Sequence, residues 1–224
     1  MSTRRIPDAT VDRLPVYLRA LFELGAAGQA MVSSDELAEM AGVNAAKVRK
    51  DLSHLGSYGT RGVGYDVEYL RFEITSRLGL ASESLVAIVG MGNLGRALAN
   101  HAGFRDRGFP LAALYDNDPE KIGSEVNGYM IRPVETLGAP SGPVIAIGVI
   151  TTPPDVAQDV ADRLVGAGVR AILNFAPTVI HVPPEVTLRK VDLTHELQVL
   201  SFYQQRDAGD RPVGIAHSGS SGSR

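Results

Sequence analysis

Apolar and polar positions change their spacing partway along this chain. From Val11 to Leu24 the apolar residues Leu14, Val16, Leu18, Leu21, Phe22 and Leu24 suit one helix. Ser33-Ser34-Asp35-Glu36 opens a second, with Ser33 and Glu36 spaced as a capping box and Leu37, Ala38 and Met40 as its apolar face. Ala41-Gly42-Val43 predicts a tight turn, with Gly42 free to take the left-handed conformation. Asn44 then caps a third helix running to about Leu55, whose buried stripe is Val48, Leu52 and Leu55. Past Ser84 the pattern becomes continuous apolar runs separated by helical stretches. Leu85–Val89, Leu111–Tyr115, Val144–Gly148 and Ala171–Asn174 are the runs, as expected of buried parallel strands with crossover helices. The change falls near Leu78–Ser84, where Gly79, Ser82 and Ser84 dilute the apolar pattern.

The expected fold class is α/β: an N-terminal winged helix-turn-helix domain (1–80), a Rossmann-type parallel-sheet domain (81–191) and a C-terminal amphipathic helix (192–205). Residues 206–224, rich in Gly and Ser, are expected to be a disordered tail. The winged assignment rests on the third helix and the glycine-rich segment after it. Lys47, Arg49, Lys50 and Ser53 fall largely outside the buried stripe of that helix, on the side a recognition helix would turn to a duplex. Gly56-Ser57-Tyr58-Gly59-Thr60-Arg61-Gly62-Val63-Gly64-Tyr65 comes next, with four glycines in nine residues. That is a thin hairpin carrying Arg61 near its tip, suited to the negative potential of a minor groove. A helical protein-interaction domain with a solvated basic face is the alternative.

Net charge adds one refinement. The chain carries −3 overall, which does not itself suggest nucleic acid. Over residues 1–80 Lys plus Arg equals Asp plus Glu, 10 against 10, yet residues 44–65 hold Lys47, Arg49, Lys50 and Arg61 against Asp51 alone. Positive charge is therefore focused where a duplex would lie. The absence of cysteine removes disulfides, thiolate metal sites and thiol redox chemistry, so any redox response must come through a bound ligand. No metal site is expected. No apolar run approaches the roughly 20 residues of a membrane span, and Met1–Asp12 lacks the apolar core of a signal peptide, so a cytoplasmic protein is expected.

The strand Leu85–Val89 leads into Gly90-Met91-Gly92-Asn93-Leu94-Gly95 and then into a helix through Arg96. This is G-x-G-x-x-G in its proper setting. Gly90 makes the turn, Gly92 admits a pyrophosphate to the backbone, and Gly95 lets the helix approach the strand. Asp116 ends the second strand about twenty residues later, where an acid accepts hydrogen bonds from an adenosine ribose 2′-OH and repels a 2′-phosphate. Asn117 and Asp118 supply no arginine for that phosphate, so NADH or NAD+ is the expected ligand. Thr151 and Asn174 end later strands, where open parallel sheets bind ligands. They either line the ribose and nicotinamide sites or only cap turns.

An enzyme would need room for a substrate and an acid or base beside it. Neither flank of the sheet domain leaves space for a substrate domain, and His54, His101, His181, His195 and His217 fall in no catalytic pattern. The dinucleotide is thus expected as a regulatory ligand. A small oxidoreductase with helices over its substrate stays open as an alternative. So does a repressor sensing another nucleotide, such as a CoA ester.

Val48-Arg49-Lys50-Asp51-Leu52-Ser53, the Gly56–Tyr65 hairpin, the Gly90–Gly95 loop and Ile172-Leu173-Asn174-Phe175-Ala176-Pro177 together resemble the Rex family of redox-sensing repressors, over about residues 11–205. The resemblance implies a homodimer on a palindromic operator, released by NADH with NAD+ competing, at respiratory and fermentation genes. It also implies that Arg19 on the first helix and Asp192 before the last one join a network coupling the two domains. His101 stands there where some relatives carry tyrosine. The final helix, with Leu193, Leu197, Leu200 and Tyr203 on one side, is similar to the family's domain-swapped dimer element. From the residues alone, packing on its own domain is the commoner case for an amphipathic helix.

Overall fold

Ser33, Asn44 and Asp66 each stop the chain from fraying at a helix start, and the N-terminal unit is built around those caps. In the computed structural model, which describes residues 6–56, 59–60 and 62–209, each side chain accepts a backbone N–H three residues on, at 3.1, 2.8 and 2.7 Å. The elements are α1 (Asp8–Val11), α2 (Leu14–Ala26), β1 (Met31–Val32), α3 (Ser34–Ala41), α4 (Ala45–Ser53), β2 (Tyr65–Asp66) and α5 (Val67–Arg77). Gly42 ends α3 at φ 66°, the left-handed turn expected between two such helices. Glu36, expected to complete a capping box with Ser33, instead accepts the Gln29 amide. The hairpin base pairs β1 with β2, and Thr60 bridges Gly64. Arg61, Ser57 and Tyr58 lie outside the described residues. Leu14, Tyr17, Leu21, Leu37, Val48, Leu52, Leu55, Leu70 and Ile74 fill one core.

The second unit is a seven-stranded sheet. Its strands are β3 (Val86–Val89), β4 (Leu111–Asp116), β5 (Glu125–Val126), β6 (Tyr129–Pro133), β7 (Ile147–Ile150), β8 (Ala171–Asn174) and β9 (Thr187–Lys190), in the order β5-β6-β4-β3-β7-β8-β9. Every pairing is parallel except β5 with β6. Helix α6 (Asn93–Ala99) follows β3 and α7 (Ala157–Gly166) follows β7. All four residues of β3 are buried, as its continuous apolar run requires. The reversal of strand order falls between β3 and β7, where open sheets of this kind form a crevice.

Several boundaries differ from the sequence expectation, the first helix among them, since α2 begins at Leu14 after the separate α1 rather than at Val11. Strand β7 begins at Ile147 rather than Val144, because Ile147 pairs with Val86 and continues through Val149 and Ile150, leaving Val144 exposed. An unbroken apolar run carries no period to fix its register. The last helix, α8 (Leu193–Gly209), runs past the expected start of the tail at Arg206, and its run of Gln204, Gln205 and Arg206 consists of good helix formers. Residues 210–224 lie outside the described part. The chain divides into two compact units, one ending at Ser84 but also including Ala102–Pro110, the other holding the rest.

Candidate functional site

Parallel pairing brings four strand ends to one edge of the sheet. Val89 sits opposite Tyr115 on one side and Ile150 on the other, and Ile150 sits opposite Asn174. Gly90, Asp116, Thr151 and Phe175 therefore leave the sheet side by side. Gly90 takes φ 100°, and its N–H donates to the Tyr115 carbonyl at 2.8 Å.

The three glycines of the turn are required for different reasons. A Cβ on Gly90 would meet the backbone of Thr151 and Thr152 at 2.8–2.9 Å, in a conformation that disfavours side chains in any case. A Cβ on Gly95 would lie 2.0 Å from the Gly90 carbonyl oxygen, so close packing of α6 on β3 demands glycine. Gly92 differs from both. Its φ of −75° is open to any residue, and a Cβ there would meet nothing within 4 Å. Neither backbone strain nor packing explains glycine at this position.

Asp116 is buried at the end of β4. Its Oδ2 accepts the Met91 N–H at 2.6 Å and its Oδ1 accepts the Asp118 N–H at 2.9 Å. The acid expected to hold a ribose thus also ties the turn to its neighbouring strand, and a carboxylate has lone pairs for both tasks. Lys121 was not anticipated. Its ammonium lies 3.4 Å from Asp116 Oδ2 and 3.2 Å from Asp118 Oδ2. The Glu120 N–H and then Lys121 hold the Asp118 carboxyl below its usual range, and Asp118 in turn raises Lys121. A Lys five residues past the acid carries no standard motif, so nothing in the spacing flagged it.

The remaining candidates divide by where their polar atoms point. The Met91 side chain is buried in the core. Asn93 and Leu94 are exposed, and Arg96 Nε donates to the Met91 carbonyl at 3.3 Å. The Thr151 hydroxyl lies 2.6 Å from the Gly90 carbonyl and 3.1 Å from that of Val89, clamping the turn. The Asn174 amide donates to Ala176 and Thr178 carbonyls and accepts the Ala176 N–H, closing its own turn. Both side chains shape the edge of the site through bonds within the chain.

On the N-terminal unit, Lys47, Arg49, Lys50 and Ser53 are all exposed along α4. Arg49 donates to Ser34 Oγ at 2.9 Å and Ser53 to the Lys50 carbonyl at 2.6 Å, leaving Lys47 and Lys50 as the cations projecting from the helix. Asp51, on the opposite side of α4, is buried. It accepts from Thr10, Tyr17 and Arg13, a cluster with no signature in the residue pattern. Of the proposed switch residues, Arg19 is exposed on α2, His101 is exposed just after α6, and Asp192 pairs with Lys190 at 3.0 Å while capping α8 through the His195 N–H. Lys190 and then that N–H hold the Asp192 carboxyl below its usual range. Among the described residues there is no cluster of metal-ligating side chains, and no helix is long and apolar enough to cross a membrane.

Comparison with known proteins gives these features a context. The family profile described as "Putative DNA-binding protein N-terminus" matches residues 5–53, and "CoA binding domain" matches residues 81–178. A redox-sensing transcriptional repressor Rex from Streptomyces griseus is 59% identical over 93% of this chain and 83% of its own. The solved structure of RSP in complex with β-NAD+ and operator DNA superposes with a TM-score of 0.85 at 37% identity, covering 92% of this chain and 95% of that one. RSP in complex with β-NADH gives 0.79 at 36% identity, covering 92% and 97%. The chain belongs to the Rex family of redox-sensing transcriptional repressors.

Proposed function

We propose that this repressor binds operator DNA through α4 and the Gly56–Tyr65 wing and is released when NADH fills the Gly90–Gly95 turn, with NAD+ competing for the same place. The carrying observation is Gly92, where neither a positive φ nor a packing neighbour calls for glycine. Asp116 supplies the acceptor for an adenosine ribose, and Gly90, Met91, Asn93, Leu94 and Arg96 form the turn beside it. Thr151 and Asn174 border the nicotinamide half. The dinucleotide acts as a signal rather than a reactant.

The two redox forms share every group but one ring. Oxidised nicotinamide is cationic, and placing a cation in an apolar pocket costs free energy that the neutral reduced ring does not incur. NADH is therefore expected to bind more tightly than NAD+. A ligand can release DNA only by preferring the arrangement that DNA does not. Here that arrangement is a dimer whose two α4 helices are misplaced for successive major grooves. The exposed Leu193, Leu197, Leu200 and Tyr203 of α8 support a homodimer interface. Arg19, His101 and Asp192 are the proposed carriers of the signal between domains, and the cytoplasm is the proposed location.

A second reading is favoured by the profile over residues 81–178: the same turn could hold the pyrophosphate of a CoA ester. An operator-shift assay titrated separately with NADH, NAD+, NADPH and coenzyme A decides between them. Release by NADH at the lowest concentration supports the redox reading. Release by coenzyme A alone replaces it, and equal retention of DNA at every NADH/NAD+ ratio overturns both the sensor and its coupling.

A further inference from the structure

Ser33 and Ser34 stand side by side at the start of α3, and their hydroxyls do different things. Ser33 Oγ accepts the Glu36 N–H and caps the helix. Ser34 Oγ accepts from Arg49 Nη1 at 2.9 Å, a partner 15 positions on and in the other helix of the pair. Capping needs one serine and leaves the second hydroxyl unexplained. The Ser34–Arg49 bond is exposed, where water competes for both partners, so it adds little to folding.

Its effect falls on the arginine. A guanidinium carries five N–H donors in a planar fork, and Ser34 engages only Nη1. The hydroxyl sits on a fixed support, because Leu37 and Ala38 of α3 share one core with Val48 and Leu52 of α4. An arginine on an exposed helix face otherwise has many rotamers, and ordering it at an interface costs free energy. A bond made before binding removes part of that cost. Two donors of such a fork read guanine O6 and N7 in a major groove, a contact that tolerates little angular error. Lys47 and Lys50 on the same helix are point charges on flexible stems, suited to phosphates, which position a protein without reading sequence.

We infer that Ser34 is a positioning residue for operator specificity, holding the Arg49 guanidinium so that its remaining donors address a guanine of the half-site. The inference rests on the reading of α4 as the recognition helix and adds a residue outside α4 that sharpens its sequence discrimination. Ser34 acts through Arg49 and touches no base itself. Removing its hydroxyl leaves every charge on α4 in place, so binding to duplex of arbitrary sequence is unaffected.

The test compares Ser34→Ala, Ser34→Thr, Arg49→Lys and the Ser34→Ala, Arg49→Lys double variant with wild type, as full chains in shift assays. The probes are the operator that wild type selects from a randomised duplex library, the same operator with each G·C pair replaced in turn by A·T, and a scrambled duplex. Ser34→Ala is expected to bind the operator about 3- to 10-fold more weakly, part of what a bidentate contact is worth. It should lose discrimination at one guanine position, yet keep wild-type affinity and salt slope on the scrambled duplex. Ser34→Thr keeps the hydroxyl and should discriminate as wild type does. With Arg49 already replaced, Ser34→Ala should have no further effect. Wild-type discrimination by Ser34→Ala overturns the inference. So does an equal loss on the scrambled duplex, which would make Ser34 a phosphate contact, or a further loss in the Arg49→Lys background, which would make its action independent of Arg49. Failure of wild type to select any sequence is a different result and would sink the recognition-helix reading instead.

Discussion

Arg13 grips Asp51 with two hydrogen bonds, Nε to Oδ2 at 2.6 Å and Nη2 to Oδ1 at 2.8 Å, and so fixes α4 against the start of α2. Tyr17 and Thr10 complete the shell at 2.8 and 2.9 Å. Burial alone would push the Asp51 carboxyl up, but hydrogen bonds from Arg13, Tyr17 and Thr10 together hold it below its usual range. Burial pushes the Tyr17 phenol up to about 12, with Asp51 adding to the effect.

The cluster therefore limits stability at both ends of the pH scale. A carboxyl depressed by folding stabilises fully above its unfolded value near 3.9, and that stabilisation is lost as pH falls through the folded value. A phenol raised by folding stabilises below its unfolded value near 10 and loses that stabilisation as pH rises toward 12. Asp51→Asn should lower stability by about 1–3 kcal/mol at neutral pH, because Arg13 and its neighbours lose the negative charge and one of two acceptor oxygens, replaced by a donor, and should flatten the acid limb. Tyr17→Phe should flatten the alkaline limb. Thermal melts from pH 2 to 12 check both, and unchanged limbs would refute the assignment.

Gly92→Ala and Gly95→Ala should part company. The first places a methyl in open space with no strain, so it should melt like wild type yet bind NADH at least tenfold more weakly. The second drives a methyl to 2.0 Å from the Gly90 oxygen and should lower the melting temperature of the sheet domain outright. Calorimetry with titration on each variant separates ligand clearance from packing. Equal stability loss in both would show that Gly92 is structural.

Asp116 and Lys121 should set the choice between NADH and NADPH. Asp116→Ala removes the ribose acceptor, the repulsion of a 2′-phosphate and one partner of Lys121. The ammonium, left with Asp118 as its partner, is then the nearest cation for that phosphate. NADH affinity should fall about tenfold or more and the preference over NADPH should narrow, whereas Asp116→Ala with Lys121→Ala should not gain NADPH. Fluorescence titrations with both nucleotides measure the ratio. A preference unmoved by Asp116→Ala contradicts the assignment.

Lys47→Ala and Lys50→Ala should weaken operator binding, and each should reduce the salt slope of log K by about 0.9, as expected for one phosphate contact. Arg61→Ala should do so as well if the wing enters a groove. Shift assays between about 50 and 200 mM salt provide the slopes. Wild-type slopes in all three would remove α4 and the wing from the interface.

Much of this architecture is readable in the residues. The caps at Ser33 and Asn44, the left-handed Gly42 and the Gly90–Gly95 turn each depend on short-range rules, and the structure places them where those rules put them. Short strands such as β5 and β9 are harder to see, because β9 is mostly exposed and its residues carry no apolar run. The Arg13–Asp51 pair is hidden because its partners stand 38 positions apart, and an acid in a basic helix reads as solvated until its neighbours are known. Thr151 and Thr152 look equivalent in sequence, and only the path of the glycine turn tells them apart.

Helix α8 leaves Leu197, Leu200, Phe202 and Tyr203 in water within one copy of the chain. Covering such a face by self-association ties the folded state to protein concentration through mass action. On the proposed dimer, dilution would both loosen the fold and scatter the paired recognition helices. The number of copies in the cell would then set how sharply the repressor answers its signal.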